Sequence, residues 1–150
     1  MNDQPVKVSQ WIAALQSDGS RMTSSRSSVI EILASSQCAM DPLRIYDEAR
    51  QIHPRLGLMS VYRTLEKLEA AGLIQRVHQP GRCNMYFAAP MGHQHLLLCD
   101  GCGKVEFFEG DDLDPLLISI GKGKHYVIHD HWLQLFGLCD QCLQMERVNA

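Results

Sequence analysis

No apolar run in this chain approaches the roughly twenty residues that a membrane-spanning helix needs, and the segment from Met1 to Gln10 lacks the apolar centre of a secretory signal. Both absences point to a cytoplasmic protein with no membrane partner. Also missing are His-Glu-x-x-His, a nucleophile elbow and a Gly-rich phosphate loop, the patterns that would place a catalytic metal, an acyl-transfer serine or a nucleotide. A zinc-dependent hydrolase therefore has little support, and the sequence reads as a non-enzyme. There is no internal repeat and no low-complexity tract. Positive charge is scarce: 14 Lys and Arg stand against 17 Asp and Glu, and the net charge of −3 argues weakly against a nucleic-acid partner.

The average hides an asymmetry. Residues 1–89 hold ten Lys and Arg against eight Asp and Glu, a charge of +2, whereas residues 90–150 hold four against nine, a charge of −5. Five of the seven histidines and four of the six cysteines also follow Pro90. The composition shift and the punctuation of Ala88-Ala89-Pro90-Met91-Gly92 place a boundary there. With 150 residues, 45% of them hydrophobic, the chain can bury two small cores, one in 1–89 and one in 90–150.

The acidic half carries Cys99-x-x-Cys102 and Cys139-x-x-Cys142. A two-residue spacer lets neighbouring sulfurs reach one ion at about 2.3 Å, so two such turns supply the four ligands of a tetrahedral zinc. Four sulfurs leave no open coordination position, and the Zn(II) would staple rather than catalyse. A disulfide pair and a redox dithiol are the competing readings. A reducing cytosol disfavours the first, and the repetition of the motif disfavours the second.

The first half reads as short helices followed by a hairpin. Val8, Ile12 and Leu15 have helical spacing, which Ser17-Asp18-Gly19 stops. A second helix starts after Thr23 and turns Val29, Ile30, Ile32 and Leu33 inward. A third starts at Asp41-Pro42, an N-cap with proline at the first helical position, and ends at His53-Pro54. A fourth begins near Ser60, buries Val61, Leu65 and Leu68, and stops at Gly72. Leu73 to Val77, the turn Gln79-Pro80-Gly81-Arg82, and Asn84 to Ala88 form a β-hairpin. Helix-turn-helix plus hairpin is a winged helix, followed by a small α/β domain: an α+β protein.

A recognition helix presents polar and aromatic side chains to base edges and phosphates. On the fourth helix Ser60, Tyr62, Arg63, Thr64 and Lys67 are the non-apolar positions and the candidates for DNA contact. Arg82 at the wing tip, with Arg21 and Arg26 before the second helix, would add phosphate contacts that position without specifying sequence. An ordinary solvated helix face is the competing reading. The charge is modest for a DNA binder, which favours a dimer reading two half-sites of double-stranded DNA.

Several segments, in order and spacing, resemble the ferric uptake regulator family of bacterial metal-dependent transcription factors. They are Arg21-x-Thr23-x-x-Arg26, Gly57-Leu58-Met59-Ser60-Val61-Tyr62-Arg63-Thr64-Leu65, Gly72-Leu73-Ile74, His93-x-His95, Cys99-x-x-Cys102-Gly103-Lys104-Val105, and Gly137-Leu138-Cys139-x-x-Cys142. The resemblance implies an N-terminal winged helix, a C-terminal dimerisation domain, a structural four-cysteine zinc, and a homodimer on a palindromic operator. It also implies repression of metal-uptake or stress genes when a sensing metal is bound, and contact of Tyr62 and Arg63 with DNA. The zinc-uptake branch is the mild favourite. A redox- or peroxide-sensing regulator of the same family is the alternative.

His93 and His95 stand two apart on an expected strand, so both imidazoles point to one face. Asp114, at the start of the next helix, and His131, before the last strand, complete a set of three imidazoles and a carboxylate. The resemblance implies one metal site at the inter-domain hinge and a second inside the dimerisation domain. Counted without gaps, these four residues fall on the second, and the hinge positions hold Ala39, Phe87, Gln94, Leu96 and Phe107, none of them good ligands. A register shifted by one residue would instead make His93 and His95 hinge ligands, joined by Cys83 or Cys38. Alternation along the strand favours the ungapped version. The ligand set suits Zn(II), Fe(II) or Mn(II) as the second ion.

Overall fold

The computed structural model describes residues 4–77, 83–90, 92, 94–110 and 113–149. Of the candidate residues, His93 and Arg82 lie outside that set, as does the wing turn. The chain divides into two compact units, Met1–Ala89 and Pro90–Ala150.

The first unit contains α1 (Gln4–Ser17), α2 (Ser24–Ser35), α3 (Pro42–Ile52), α4 (Leu58–Ala70), β1 (Ile74–Val77) and β2 (Met85–Ala88). Local chemistry sets the helix starts. The Thr23 hydroxyl accepts the Arg26 backbone N–H at 3.2 Å, and the Asp41 carboxylate accepts that of Arg44 at 2.9 Å. Each satisfies a donor that the first turn of a helix leaves without a partner, worth about 1 kcal/mol. Helix α4 starts two residues before the expected Ser60, because Gly57 lies in extended backbone and its carbonyl already accepts the Ser60 N–H at 3.0 Å. It ends where Gly72 takes a left-handed φ of 70°, which costs a residue without Cβ little and lets the Leu73 N–H close back on the Leu68 carbonyl.

Apolar side chains recurring every three to four residues bring α1, α2, α3 and α4 around one core, in which Leu15, Ile30, Leu33, Ile45, Leu65 and Leu68 are fully buried. Removing each from water contributes about 1.5–3 kcal/mol. Strands β1 and β2 pair antiparallel, Ile74 opposite Ala88 and Val77 opposite Met85. Met40 and Tyr86 exchange backbone hydrogen bonds of 2.9 and 2.8 Å, which ties the segment before α3 to the hairpin. Three helices, a recognition-type helix and a hairpin make this unit a winged helix.

The second unit contains β3 (His95–Cys99), β4 (Val105–Phe108), α5 (Asp114–Lys124), β5 (Gln134–Gly137) and α6 (Asp140–Asn149). Its sheet has the order β4-β3-β5. The first pair is antiparallel and joined by the tight turn at Cys99–Cys102. The β3–β5 pair is parallel, Leu96 opposite Gln134 and Cys99 opposite Gly137, and so needs the long crossover that α5 supplies. Among the described residues its fully buried apolar side chains are few, Leu96, Leu98 and Cys99, whereas Leu97, Trp132, Leu135, Phe136, Met145 and Val148 are exposed. A unit this small with so little interior needs a metal staple, a second copy, or both. The mixed helix-and-strand architecture is the α+β class expected from the sequence.

Candidate metal centre and nucleic-acid interface

Parallel pairing of β3 with β5 brings the two cysteine turns together. Both strands run to the same end, where β3 passes into Cys99–Cys102 and β5 passes, two residues after Gly137, into Cys139–Cys142 at the start of α6. The Asp100 N–H donates to the Gly137 carbonyl at 2.7 Å and the Cys139 N–H donates to Cys99 Sγ at 3.2 Å, so the turns are stitched by backbone as well as sulfur. All four sulfurs lie within 4.8 Å of one another, and Cys102 and Cys139 Sγ are 3.8 Å apart. A tetrahedron of sulfurs about 2.3 Å from zinc has edges of about 3.8 Å, so the cluster fits a structural zinc ion.

The thiols are prepared for this role. Burial opposes a charge on Cys99, but backbone N–H donors from Cys139, Cys102 and Gly101 outweigh it and hold the thiol down to about 6. Cys142 is pushed up to about 12 by hydrogen bonding to the Cys139 and Cys99 side chains together with burial. One thiolate therefore forms readily and the set resists carrying four, which is the condition a divalent cation relieves.

The opposite end of the same strand pair carries imidazoles. His95 opens β3 and is 1% exposed, with Phe108 beside it across the β3–β4 pair at 5.4 Å between ring centroids. His131 precedes β5 and is half-buried. Because Leu96 donates its N–H to the Leu133 carbonyl at 3.1 Å, the two approaches run side by side, and His95 Nε2 and His131 Nε2 stand 3.2 Å apart. Two nitrogens on a tetrahedral ion at about 2.0–2.1 Å are separated by about 3.3 Å, so the spacing suits a shared cation. One N–H···N hydrogen bond also suits it. Asp114 opens α5 as expected and lines one cavity with His131, His129 and Asp130. Among the described residues only the four cysteines form a group of three or more ligands within 4.8 Å, so Asp114 does not reach that spacing with both imidazoles.

Of the hinge positions, Ala39, Phe87 and Leu96 are buried apolar side chains and Gln94 and Phe107 are half-buried. Cys38 is half-buried, and Cys83 is exposed in a cavity shared with Tyr62, Asp47 and Glu48.

On α4 the exposed side chains are Met59, Tyr62, Arg63, Glu66, Lys67 and Ala70, with Ser60 half-buried. Thr64 is not among them. It is 2% exposed and its hydroxyl donates to the Ser60 carbonyl at 2.7 Å, because positions 61, 64, 65 and 68 share the face that packs inward. Met59 is 63% exposed at the start of the same helix, a position that its apolar character hid in the sequence. Lys67 Nζ donates to Ser20 Oγ at 3.1 Å. Arg26, expected before the second helix, lies in the first turn of α2, because the Thr23 cap starts the helix at Ser24; it is half-buried with its guanidinium donating to the Arg21 carbonyl, and Arg21 itself is exposed.

Residues 17–136 match the model of the ferric uptake regulator family. A ferric uptake regulation protein of Legionella pneumophila is 30% identical over 129 residues, covering 85% of this chain and 95% of that one. Among solved structures, the Vibrio cholerae ferric uptake regulator superposes with a TM-score of 0.67 at 26% identity, covering 85% of this chain and 98% of its own. A zinc uptake regulator complexed with zinc and DNA superposes with a TM-score of 0.71 at 19% identity, covering 96% and 97%, a likeness of fold.

Proposed function

Because this chain belongs to the ferric uptake regulator family of metal-responsive transcription regulators, we propose that it is a cytoplasmic, homodimeric repressor of metal-uptake or stress genes. In this reading Cys99, Cys102, Cys139 and Cys142 hold a structural zinc, and His95 with His131 form the core of a second, regulatory site. The second ion is Zn(II), Fe(II) or Mn(II). The observation that carries the regulatory reading is the 3.2 Å approach of the two Nε2 atoms at the start of a parallel strand pair. Asp114 and His93 are the further ligands proposed, Asp114 from the neighbouring cavity wall and His93 from strand alternation alone.

A cation at this position supplies positive charge that converging imidazole lone pairs stabilise. The chain's own contribution is geometric. His95 is held by burial beside Phe108, and His131, half-buried in the wall of the neighbouring cavity, lies in the segment that leads into β5, so an ion shared by the two rings would tie that segment to β3. That tie shifts the population toward the dimer whose reading heads match two half-sites, by as much as the ion's differential affinity for the two states. With buried apolar side chains at Ala39, Phe87 and Leu96, the hinge has no ligand to offer from those positions.

The DNA face proposed is Tyr62, Arg63 and Lys67 with Ser60 on α4, supported by Arg21, Arg26 and Arg82. Thr64 is left out because its side chain is turned inward. The exposed Leu97 and Leu135, paired across β3 and β5 on one side of the sheet, supply the face for a second copy.

Gel shift of a palindromic promoter fragment, with and without added metal, tests this reading. Retardation gained on adding the ion and lost with rising salt is the expected result. Retardation that ignores metal but disappears with peroxide would replace it by the redox-sensing alternative acting through the exposed Cys83.

A further inference from the structure

Gly110 lies between β4 and α5, and its carbonyl accepts the Leu113 N–H at 2.9 Å. Its φ is not in the left-handed region that glycine alone tolerates, so any residue could take its backbone conformation. What a side chain could not do is fit. A Cβ placed on Gly110 would overlap Cδ2 and Nε2 of His95, and would crowd Leu113 Cδ1 at 3.1 Å. Nε2 is the atom that faces His131 Nε2 at 3.2 Å. The absent side chain of Gly110 is thus the space in which the metal-facing edge of the His95 ring lies.

His95 has no freedom to yield. It is 1% exposed, pairs with Phe108 across the sheet and abuts His131, so a ring displaced at Nε2 would have to rotate away from its partner imidazole. Leu113, bonded to the Gly110 carbonyl, directly precedes Asp114, the carboxylate at the head of α5. We propose that Gly110 is a positioning residue for the second metal site: it admits the His95 imidazole at the depth where its Nε2 meets His131. This rests on the reading of His95 and His131 as metal ligands. Gly123, in α5, has nothing within 4 Å of a built Cβ and serves as the neutral control.

The test is metal binding by the full-length dimer carrying Gly110→Ala, Gly123→Ala, His95→Ala, or Gly110→Ala with His95→Ala. Zinc content is measured per chain, and Co(II) titration reports the four-sulfur site by its thiolate charge-transfer absorption. The expected result is that Gly110→Ala keeps the four-sulfur signal and one ion per chain, and binds the second ion at least about tenfold more weakly, the size of effect that misplacing a ligand produces. Gly123→Ala should behave as the parent. If Gly110→Ala binds the second ion like the parent while His95→Ala loses it, Gly110 has no positioning role, although the metal site stands. If His95→Ala also keeps the second ion, the site reading fails and takes this inference with it. Should Gly110→Ala not fold, the double variant decides: recovery of the fold once the imidazole is gone locates the conflict at His95, and failure to recover overturns the proposal.

Discussion

Cys99 Sγ accepts the backbone N–H of Cys139 at 3.2 Å, so the two cysteine turns, forty positions apart in the chain, are joined before any metal is considered. A zinc ion in the four-sulfur cluster would complete a junction that strand pairing has already drawn close, and its binding free energy would become folding free energy of the second unit. Cys99→Ser should therefore lose one zinc per chain and the structure of residues 90–150, while the winged helix keeps its helical signal. Metal analysis with circular dichroism checks this, and a variant retaining a full complement of zinc would contradict it. Chelation of the wild type should give the same partial unfolding.

His131→Ala removes an imidazole that is half-buried and lines a cavity, so little packing is lost with it. The variant should keep the four-sulfur zinc and its thermal midpoint within a few degrees, yet lose the metal-dependent gain in DNA affinity. Isothermal titration with metal, followed by gel shift, separates these effects. An unchanged metal response would place the sensor elsewhere.

Arg63 and Thr64 are neighbours on α4 with opposite surroundings, and substitution should tell them apart. Arg63→Ala should weaken operator binding by about 1–3 kcal/mol and, if the contact is to phosphate, lower the salt slope by about one. Thr64→Ala should leave operator affinity nearly unchanged but destabilise the winged helix by about 1 kcal/mol, through a lost buried methyl and hydroxyl. Fluorescence anisotropy and thermal melts give the two readouts. A Thr64→Ala protein that melts normally but fails on DNA would reverse the assignment.

Leu97 and Leu135 are opposite one another across β3 and β5 and both remain more than a third exposed. A charge at Leu135, as in Leu135→Asp, should convert the dimer to monomers by sedimentation and cost operator affinity at least about a hundredfold, the scale of the gain from joining two half-site modules. A dimer surviving that change would move the interface to another face.

Much of the fold is legible in the residues because it is set locally. Thr23 and Asp41 announce their helices by chemistry that acts within three residues, and Gly72 stops its helix by a conformation other residues avoid. The four cysteines are legible for the same reason, since the two-residue spacer is itself the ligand geometry. Thr64 is not legible as an inward residue, because polarity alone places a hydroxyl outside, and only the carbonyl of Ser60 one turn back makes burial cheap. Gly110 carries no signal in the sequence, because the space its missing side chain leaves is filled by the His95 ring, fifteen positions earlier, on the other side of a strand pair. The exposed apolar side chains of the second unit escape composition altogether, since hydrophobic content reports what must be covered and not by which chain.

The ribbon made by β3 and β5 has a latch of sulfur at one end and a pair of imidazoles at the other, with only three residues of β3 between Cys99 and His95. A slip of one residue along it is a step of about 3.3 Å and turns every side chain of the shifted strand to the opposite face. The strand register that gathers the four sulfurs is therefore the same register that brings His95 and His131 within reach of one another, and neither cluster can be re-spaced without disturbing the other.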